Sequence, residues 1–297
     1  MSSSGVGAIS LTHPSVPRAD PPRPAAAARA RAGRLGVRAL ALGYLALLLL
    51  APLVMIFYRT FEHGLGGVWS ALSASNFQHA FWLSLEVVAI AVPLNTIFGI
   101  GLALLLERGR IRGKALIGTL IDLPFAISPV VVGLALVLVY GKTGWFGSGL
   151  QGTALQVIFS VPGIVIATAV VSLPFVARET IPVLRELGTD GEQAAATLGA
   201  SGWQTFWKVT LPGIRWAVVY GVVLTTARAL GEFGAVSVVS GRIAGQTQTL
   251  PLFVQDRFEN FDITGAYAAA VVLALLALGT LGAMSLLARR AQRRVAS

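Results

Sequence analysis

Six long apolar runs, separated by short polar stretches rich in arginine, set the pattern of the chain. They cover roughly residues 39–58, 82–106, 116–140, 156–177, 216–240 and 266–288. A helix needs about 20 apolar residues to cross the hydrocarbon core of a bilayer, and each run reaches that length. The pattern predicts an all-α, polytopic membrane protein with six transmembrane helices spread over 39–288. Residues 1–38 are rich in Ser, Pro, Ala and Arg, cannot bury a core, and are expected to form a disordered basic tail. Residues 289–297 form a second basic tail. The N-terminal stretch does not read as a cleavable signal peptide: the first apolar run is too long and no clear small-residue cleavage site follows it.

Charge fixes the expected orientation. An even number of spans puts both ends of the chain on one side. Of the 23 Lys and Arg residues, 18 fall before the first span, between the second and third, between the fourth and fifth, or after the last. The opposite face holds only four, namely Arg59, Lys142, Arg242 and Arg257, and Arg228 alone lies within a span. Cytoplasmic loops carry the basic excess, so both termini and the long 178–215 loop are expected in the cytoplasm.

Composition narrows the function. Only 12% of residues are charged and mean hydropathy is +0.74, whereas a soluble surface needs about a quarter charged. The net charge of +10 could point to nucleic acid, but the basic residues cluster at the ends of apolar runs without aromatic interleaving, which argues against it. Cysteine is absent, and His13, His63 and His79 all lie outside the spans, so neither thiol chemistry nor an intramembrane metal or acid–base group is expected. Pro52, Pro93, Pro124, Pro129, Pro162 and Pro174 interrupt the spans. Each removes a backbone donor, which is tolerated where other helices or a watery cavity serve the freed carbonyls. Together with Asp122 and Ser128 they favour irregular helices around a path.

The 178–215 loop has the composition of short helices. Thr189 followed by Glu192 fits a capping box, Ala194 to Leu198 favours helix, and Gly199 sits where a left-handed C-terminal residue is expected. A short helix is predicted from Asp190 to Leu198. The spacing alone also fits an ordinary solvated loop helix. Gly141–Lys142–Thr143 has the end of a phosphate-binding loop, but the earlier glycine that such a loop requires is Leu136, so nucleotide must be handled elsewhere.

The loop resembles the EAA loop of ABC-importer permeases, the segment through which those proteins contact their ATPase. The family's Glu-Ala-Ala triplet, later glycine and hydrophobic-x-Leu-Pro end fall here on Gln193, Ala194, Ala195, Gly199, Val209, Leu211 and Pro212. One departure is visible: the glutamate position holds Gln193, with Glu192 one residue earlier. The resemblance covers most of residues 40–288 and points to the second permease subunit of sulfate/thiosulfate importers, through the runs AVPLNTIFG (91–99), LIDLPFAISPVVVGL (120–134), GWFG (144–147), LPFVARETIPVL (173–184) and YGVVLTTARALGEFGAVSVVSG (220–241). It implies a MetI-like permease fold in the inner membrane, with Glu192, Gln193, Ala194, Ala195, Gly199, Leu211 and Pro212 docking the ATPase. It also implies a second homologous permease, two ABC ATPase copies that carry the ATP, and an extracytoplasmic sulfate-binding protein. No cofactor, metal or covalent chemistry is expected of this chain. Molybdate or tungstate permeases share the Arg-x-x-Gly-Glu-Phe-Gly-Ala run and are the alternative within the family. A secondary transporter or channel is the rival class, and it would carry coupling-ion sites in broken helices and inverted repeats, neither of which the sequence shows. A non-transporting scaffold fits poorly with kinked, polar-containing spans.

Within the spans, Arg228 and Glu232 are the sharpest polar feature. An ionised residue near the bilayer centre costs at least about 2.5 to 3.5 kcal/mol, so it needs a partner or water. At i and i+4 the two share a helical face and can pair, either as a structural tie or as a lining of the path of a divalent oxyanion. Ser128, Glu86 and Asn95 are further candidates for that path. Because the chain has no cysteine, single cysteines report the topology directly: one replacing Gln246 is expected to react with an impermeant thiol reagent outside cells with a permeable outer envelope, and one replacing Ser201 is not. The reverse pattern would overturn the orientation.

Overall fold

The computed structural model describes residues 24–62, 64–150, 152–153 and 156–295. Regular structure among them is helical: α1 Pro24–Phe61, α2 Gly64–Ser73, α3 Ser75–Glu107, α4 Lys114–Ala126, α5 Pro129–Tyr140, α6 Gly147–Leu150, α7 Val161–Ser172, α8 Pro174–Leu187, α9 Asp190–Thr197, α10 Gly202–Thr205, α11 Leu211–Leu230, α12 Gly234–Val239, α13 Leu250–Glu259 and α14 Ile263–Val295. The chain divides into two units, 1–54 and 55–297. The first contributes, among described residues, the α1 helix up to Val54. The second holds all the remaining helices.

Five helical stretches are long and apolar enough to cross a membrane: Gly36–Phe61, Ser75–Glu107, Val161–Leu187, Gly202–Leu230 and Ile263–Leu286. A sixth arises if α4 and α5 count as one span, bent by 109°. The expected number of spans therefore stands, while several boundaries do not. Helix α1 begins at Pro24, inside the tail expected to be disordered, because AAAARARAGR is a run of strong helix formers; residues 1–23 lie outside the described residues. Similarly α14 continues through most of the C-terminal tail, to Val295. The fourth span runs on to Leu187 across Pro174, which takes the N1 position of α8, where a missing N–H costs nothing.

Two spans are broken within their apolar stretch, one at the Asp122–Ser128 run where irregular helix was expected and one at Gly231–Phe233, which has no proline to signal it. Ile127 and Ser128 adopt extended backbone (ψ 136° and 135°) immediately before Pro129, whose ring disfavours the helical conformation in the residue ahead of it. The fifth span ends at Leu230, Gly231 is its C-cap, and the chain restarts as α12 at Gly234. The two restarts pack against each other almost backbone to backbone: a β-carbon at Gly234 would stand 2.9 Å from the Pro129 Cβ, and one at Gly133 would stand 2.7 Å from the Ala235 carbonyl.

Helices α7 and α8 form the centre of the second unit, with 61% of their apolar window buried against 11% for α14. Val176 on α8 is fully buried between α3 and α11. A β-carbon at Gly99 of α3 would lie 2.7 Å from the Val176 Cβ, and one at Gly221 of α11 would lie 2.7 Å from its Cα. The two glycines thus allow three helices to meet at one residue, as small residues do generally in membrane packing. Below this contact, Ala103, Leu184 and Ile214, from the same three helices, close a second buried cluster. Gly99→Ala and Gly221→Ala are expected to cost about 1 to 3 kcal/mol each by overpacking, read as a lower midpoint temperature for loss of monodisperse protein in detergent. Gly101→Ala, whose added carbon meets nothing within 4 Å, should leave that midpoint unchanged or raise it.

Candidate functional site: a docking helix and a charged pair at two helix breaks

Residues 188–210 leave the end of α8 and return to the start of α11. Helix α9 ends in a Schellman motif: the Ala200 amide donates to the Ala195 carbonyl at 3.0 Å, and the Gly199 amide to the Ala196 carbonyl at 3.0 Å. Gly199 takes φ +82°, the left-handed conformation expected of it, with open space around its α-carbon. The expected capping box at Thr189 and Glu192 does not form. Thr189 makes no side-chain cap; its hydroxyl instead accepts a 2.8 Å bond from the Gln193 side-chain Nε2, while the Glu192 carboxylate turns inward. The capping box sits one helix later, where Ser201 caps α10 and Gln204 reaches back to the Ser201 amide at 2.9 Å.

Glu192 lies at a junction of four elements. Its Oε2 accepts from Arg108 Nε at 2.8 Å, and its Oε1 accepts from the Thr210 hydroxyl at 2.9 Å. Arg108, the C-cap of α3, also donates through Nη2 to the carbonyls of Leu184 and Gly188 at the end of α8. One guanidinium therefore joins the end of α3, the end of α8 and α9. Nearby, Arg185 pairs with Glu107 at 2.7 Å and Arg178 with Asp122 at 2.6 Å. Arg108 and Thr210 were not singled out in the sequence: Arg108 reads there only as one member of the basic RGRIRGK cluster.

The outer side of the loop is exposed and carries large apolar side chains among polar ones. Gln193, Ala194 and Ala196 are exposed and Ala195 half-buried; Leu198 is 89% and Trp203 69% exposed. Trp203, Phe206 and Trp207 form an aromatic cluster with centroids 5.4 to 6.0 Å apart, Trp203 stacked on Phe206 and Trp207 edge-on to both. Phe206–Thr210 is π-helical, and the Leu211 amide reaches back five residues to Phe206. Pro212 gives the reason: it supplies no amide, and its ring would strike the Lys208 carbonyl in an α-helix. Leu211 is half-buried and Pro212 exposed.

The second site lies at the two breaks. Arg228 Nη1 stands 2.7 Å from Glu232 Oε2, so the expected pair exists. Its geometry differs from the expectation: Glu232 is not on the helix of Arg228 but beyond its end, past Gly231. There Glu232 Oε1 accepts from the Ala235 amide at 2.9 Å, serving the first turn of α12. The Glu232 side chain is 2% exposed and that of Arg228 32%. Arg228 lines a cavity of about 240 Å³ with Pro124, Phe125, Ile127, Pro129 and Phe175, which places the guanidinium beside the α4–α5 bend. Ser128 is exposed at that bend, at the N-cap of α5, with no side-chain cap bond. Glu86 is exposed on α3, away from these contacts. Asn95 is fully buried; its amide donates to the Ala169 carbonyl at 3.0 Å and to the Ser172 hydroxyl at 2.8 Å, which ties α3 to the end of α7. Among the described residues no group of three His, Cys, Asp or Glu comes together as a metal site would require.

The geometry can be set beside known proteins. A protein named sulfate transport system permease protein CysW from Synechocystis sp. is 55% identical over 252 residues, covering 85% of this chain and 91% of the relative. A sulfate transport system permease protein CysT from Escherichia coli is 37% identical, covering 85% and 91%. A solved bacterial alginate ABC transporter, in complex with an alginate pentasaccharide-bound periplasmic protein, superposes with a TM-score of 0.72 over 88% of this chain and 96% of the solved one; at 17% identity that likeness concerns the fold alone. Residues 95–293, which include both breaks and the whole 188–210 loop, match the family described as binding-protein-dependent transport system inner membrane component. With two thirds of its length in that match and a relative this similar, the chain belongs to the family of inner membrane components of binding-protein-dependent transport systems, the ABC-importer permeases.

Proposed function

We propose that this chain is one of two homologous permease subunits that carry sulfate across the inner membrane, driven by ABC ATPases docked on α9 from the cytoplasm. The observation that carries this reading is the helix itself: a short helix, closed at its own end by Gly199, leaves Gln193, Ala194, Ala196 and Leu198 exposed while Arg108 and Thr210 hold its inner side through Glu192. The similarity to the CysW protein supports sulfate over molybdate, and the CysT relative supports a homologous second subunit. The basic bias supports cytoplasmic termini, with a sulfate-loaded binding protein approaching from the opposite face. Broken spans alone do not favour a secondary transporter, because membership in a binding-protein-dependent family accounts for them without coupling ions. In this reading the path passes the two breaks, where Arg228 meets a small cavity and can exchange its carboxylate partner for a divalent oxyanion.

Solubilised gently from its membrane, the chain should bring with it a second permease and an ATPase, and cells lacking it should lose uptake of labelled sulfate while keeping uptake of molybdate. Isolation of the chain alone with sulfate uptake intact would refute the reading. Gly199→Ala should cost about 1 kcal/mol locally through the left-handed backbone alone. Gly199→Leu should in addition obstruct the ATPase, so substrate-stimulated hydrolysis should fall well below that of Gly199→Ala at equal membrane abundance.

For the path, Glu232→Gln keeps an oxygen for the Ala235 amide but strands the Arg228 guanidinium. Its effect on abundance should stay below the about 3 to 5 kcal/mol of a fully buried broken pair, since Arg228 is 32% exposed. Arg228→Met combined with Glu232→Gln should restore abundance and leave sulfate uptake lost. Recovery of uptake together with abundance would show the pair to be a structural tie only.

A further inference from the structure

Resting on that reading, we propose that Arg108 is the positioning residue that transmits displacement of the docking helix into the membrane helices. The guanidinium is 19% exposed and holds three acceptors at once, on α9, on the last turn of α8 and in the turn between them. The contacts use two separated nitrogens, Nε and Nη2, a spread that a planar fork holds fixed and a single ammonium nitrogen does not offer. Its anchor is the C-cap of α3, and α3 is locked to α8 and α11 at Val176, where the space is already smaller than a methyl group requires. Glu192 completes the route by spending its second oxygen on Thr210, the last residue of the π-helical segment and the doorway to α11.

The arrangement divides α9 into two sides. Ala194 lies about 200° around the helix from Glu192, so a surface pressing on Ala194 drives Glu192 toward Arg108 and Thr210. Among the described residues the other hydrogen bonds of α9 are local, Gln193 to Thr189 and the Schellman bonds of Gly199 and Ala200, while Gly191 packs against the Val209 side chain of the π-helical segment. Glu192 is thus the docking helix's side-chain link to helices distant in sequence. The π-helical segment supplies the compliant element, because its hydrogen bonds can move between five-residue and four-residue spacing and so change the length of the lead into α11 by a fraction of a turn. Arg108 caps α3 and Thr210 leads into α11, the two helices that flank Val176, and Glu192 joins them. This assigns Glu192 to the inside of the subunit and leaves partner contact to the neighbouring residues.

The test uses the whole importer, purified and reconstituted in vesicles with sulfate-loaded binding protein, and reads sulfate delivered per ATP hydrolysed. In Arg108→Met the ATPase should still copurify with basal hydrolysis within about twofold, while sulfate per ATP should fall about tenfold or more, the size of an ordinary coupling between two sites. Arg108→Lys should recover only part of the ratio. Glu192→Gln, which leaves the Arg108 contacts to Leu184 and Gly188 in place, should lower the ratio without lowering abundance, and so covers the case in which Arg108→Met fails to insert. A double variant, Arg108→Cys with Glu192→Cys, should behave like Arg108→Met until a short bismaleimide joins the two thiols, and should then regain sulfate per ATP. An unchanged ratio in Glu192→Gln and Arg108→Met, or no gain on bridging, overturns the assignment. If the unaltered chain brings down no ATPase, the importer reading itself fails, which is separable from a coupled complex that ignores Arg108.

Discussion

Wherever a helix stops inside hydrocarbon, its last carbonyls and the next helix's first amides lose their partners, and no water replaces them. This chain stops twice, at Ile127–Ser128 and at Gly231–Phe233, and both stops are arranged around that constraint. At the first, proline occupies N1 of α5, where an amide would have been unserved. At the second, the Glu232 carboxylate takes the Ala235 amide and in turn requires a cation, which Arg228 provides. The charged pair is in this sense a consequence of the break, and any role in transport is built upon it. Asn95 answers the same demand beside Pro174 by serving the Ala169 carbonyl.

The helices that flank these breaks are held by contact between backbones. Val176, Gly99 and Gly221 leave α3, α8 and α11 no freedom to slide past one another without losing buried surface. The C-terminal ends of α3 and α8 and the N-terminal end of α11 converge on the 188–210 loop, so the tightest part of the helix bundle is continuous with the element that meets the ATPase in the proposed reading. Apolar surface on α14, by contrast, faces outward at Leu275, Leu278, Leu281 and Leu286, as suits a helix against lipid or another apolar surface.

Much of this was legible in the residues. Hydrophobic run length found the spans, alanine content and a glycine located α9 to within a residue, and the presence of Arg228 with Glu232 announced a pair. The misreadings share a cause. Thr189 and Glu192 have the spacing of a capping box, but Arg108, 84 residues away from Glu192, offers the carboxylate a charged partner that a local amide cannot match. Arg228 and Glu232 have helical spacing, yet Gly231 lets the helix end between them. Periodicity and spacing describe what one segment prefers alone; the terminal helix at Pro24 followed such local preference where composition pointed to disorder. The tie to Thr210 and the near-touching glycines at Val176 depend on tertiary approach, which no single stretch of sequence encodes.

The Schellman closure of α9 bears on how fast and how tightly another protein could engage it. Both terminal amides are already spent on Ala195 and Ala196, and the helix is braced beneath by Arg108 and Thr210. An isolated helix of eight residues would be largely unfolded in water. A partner would then have to supply the entropy of ordering it, and affinity would be lost accordingly. Here the closing bonds and the brace are formed within the chain itself, so Ala194 and Leu198 are presented on a helix already held in place. Association with such a preformed surface is governed by diffusion and orientation, and its binding energy remains available for work on the membrane helices.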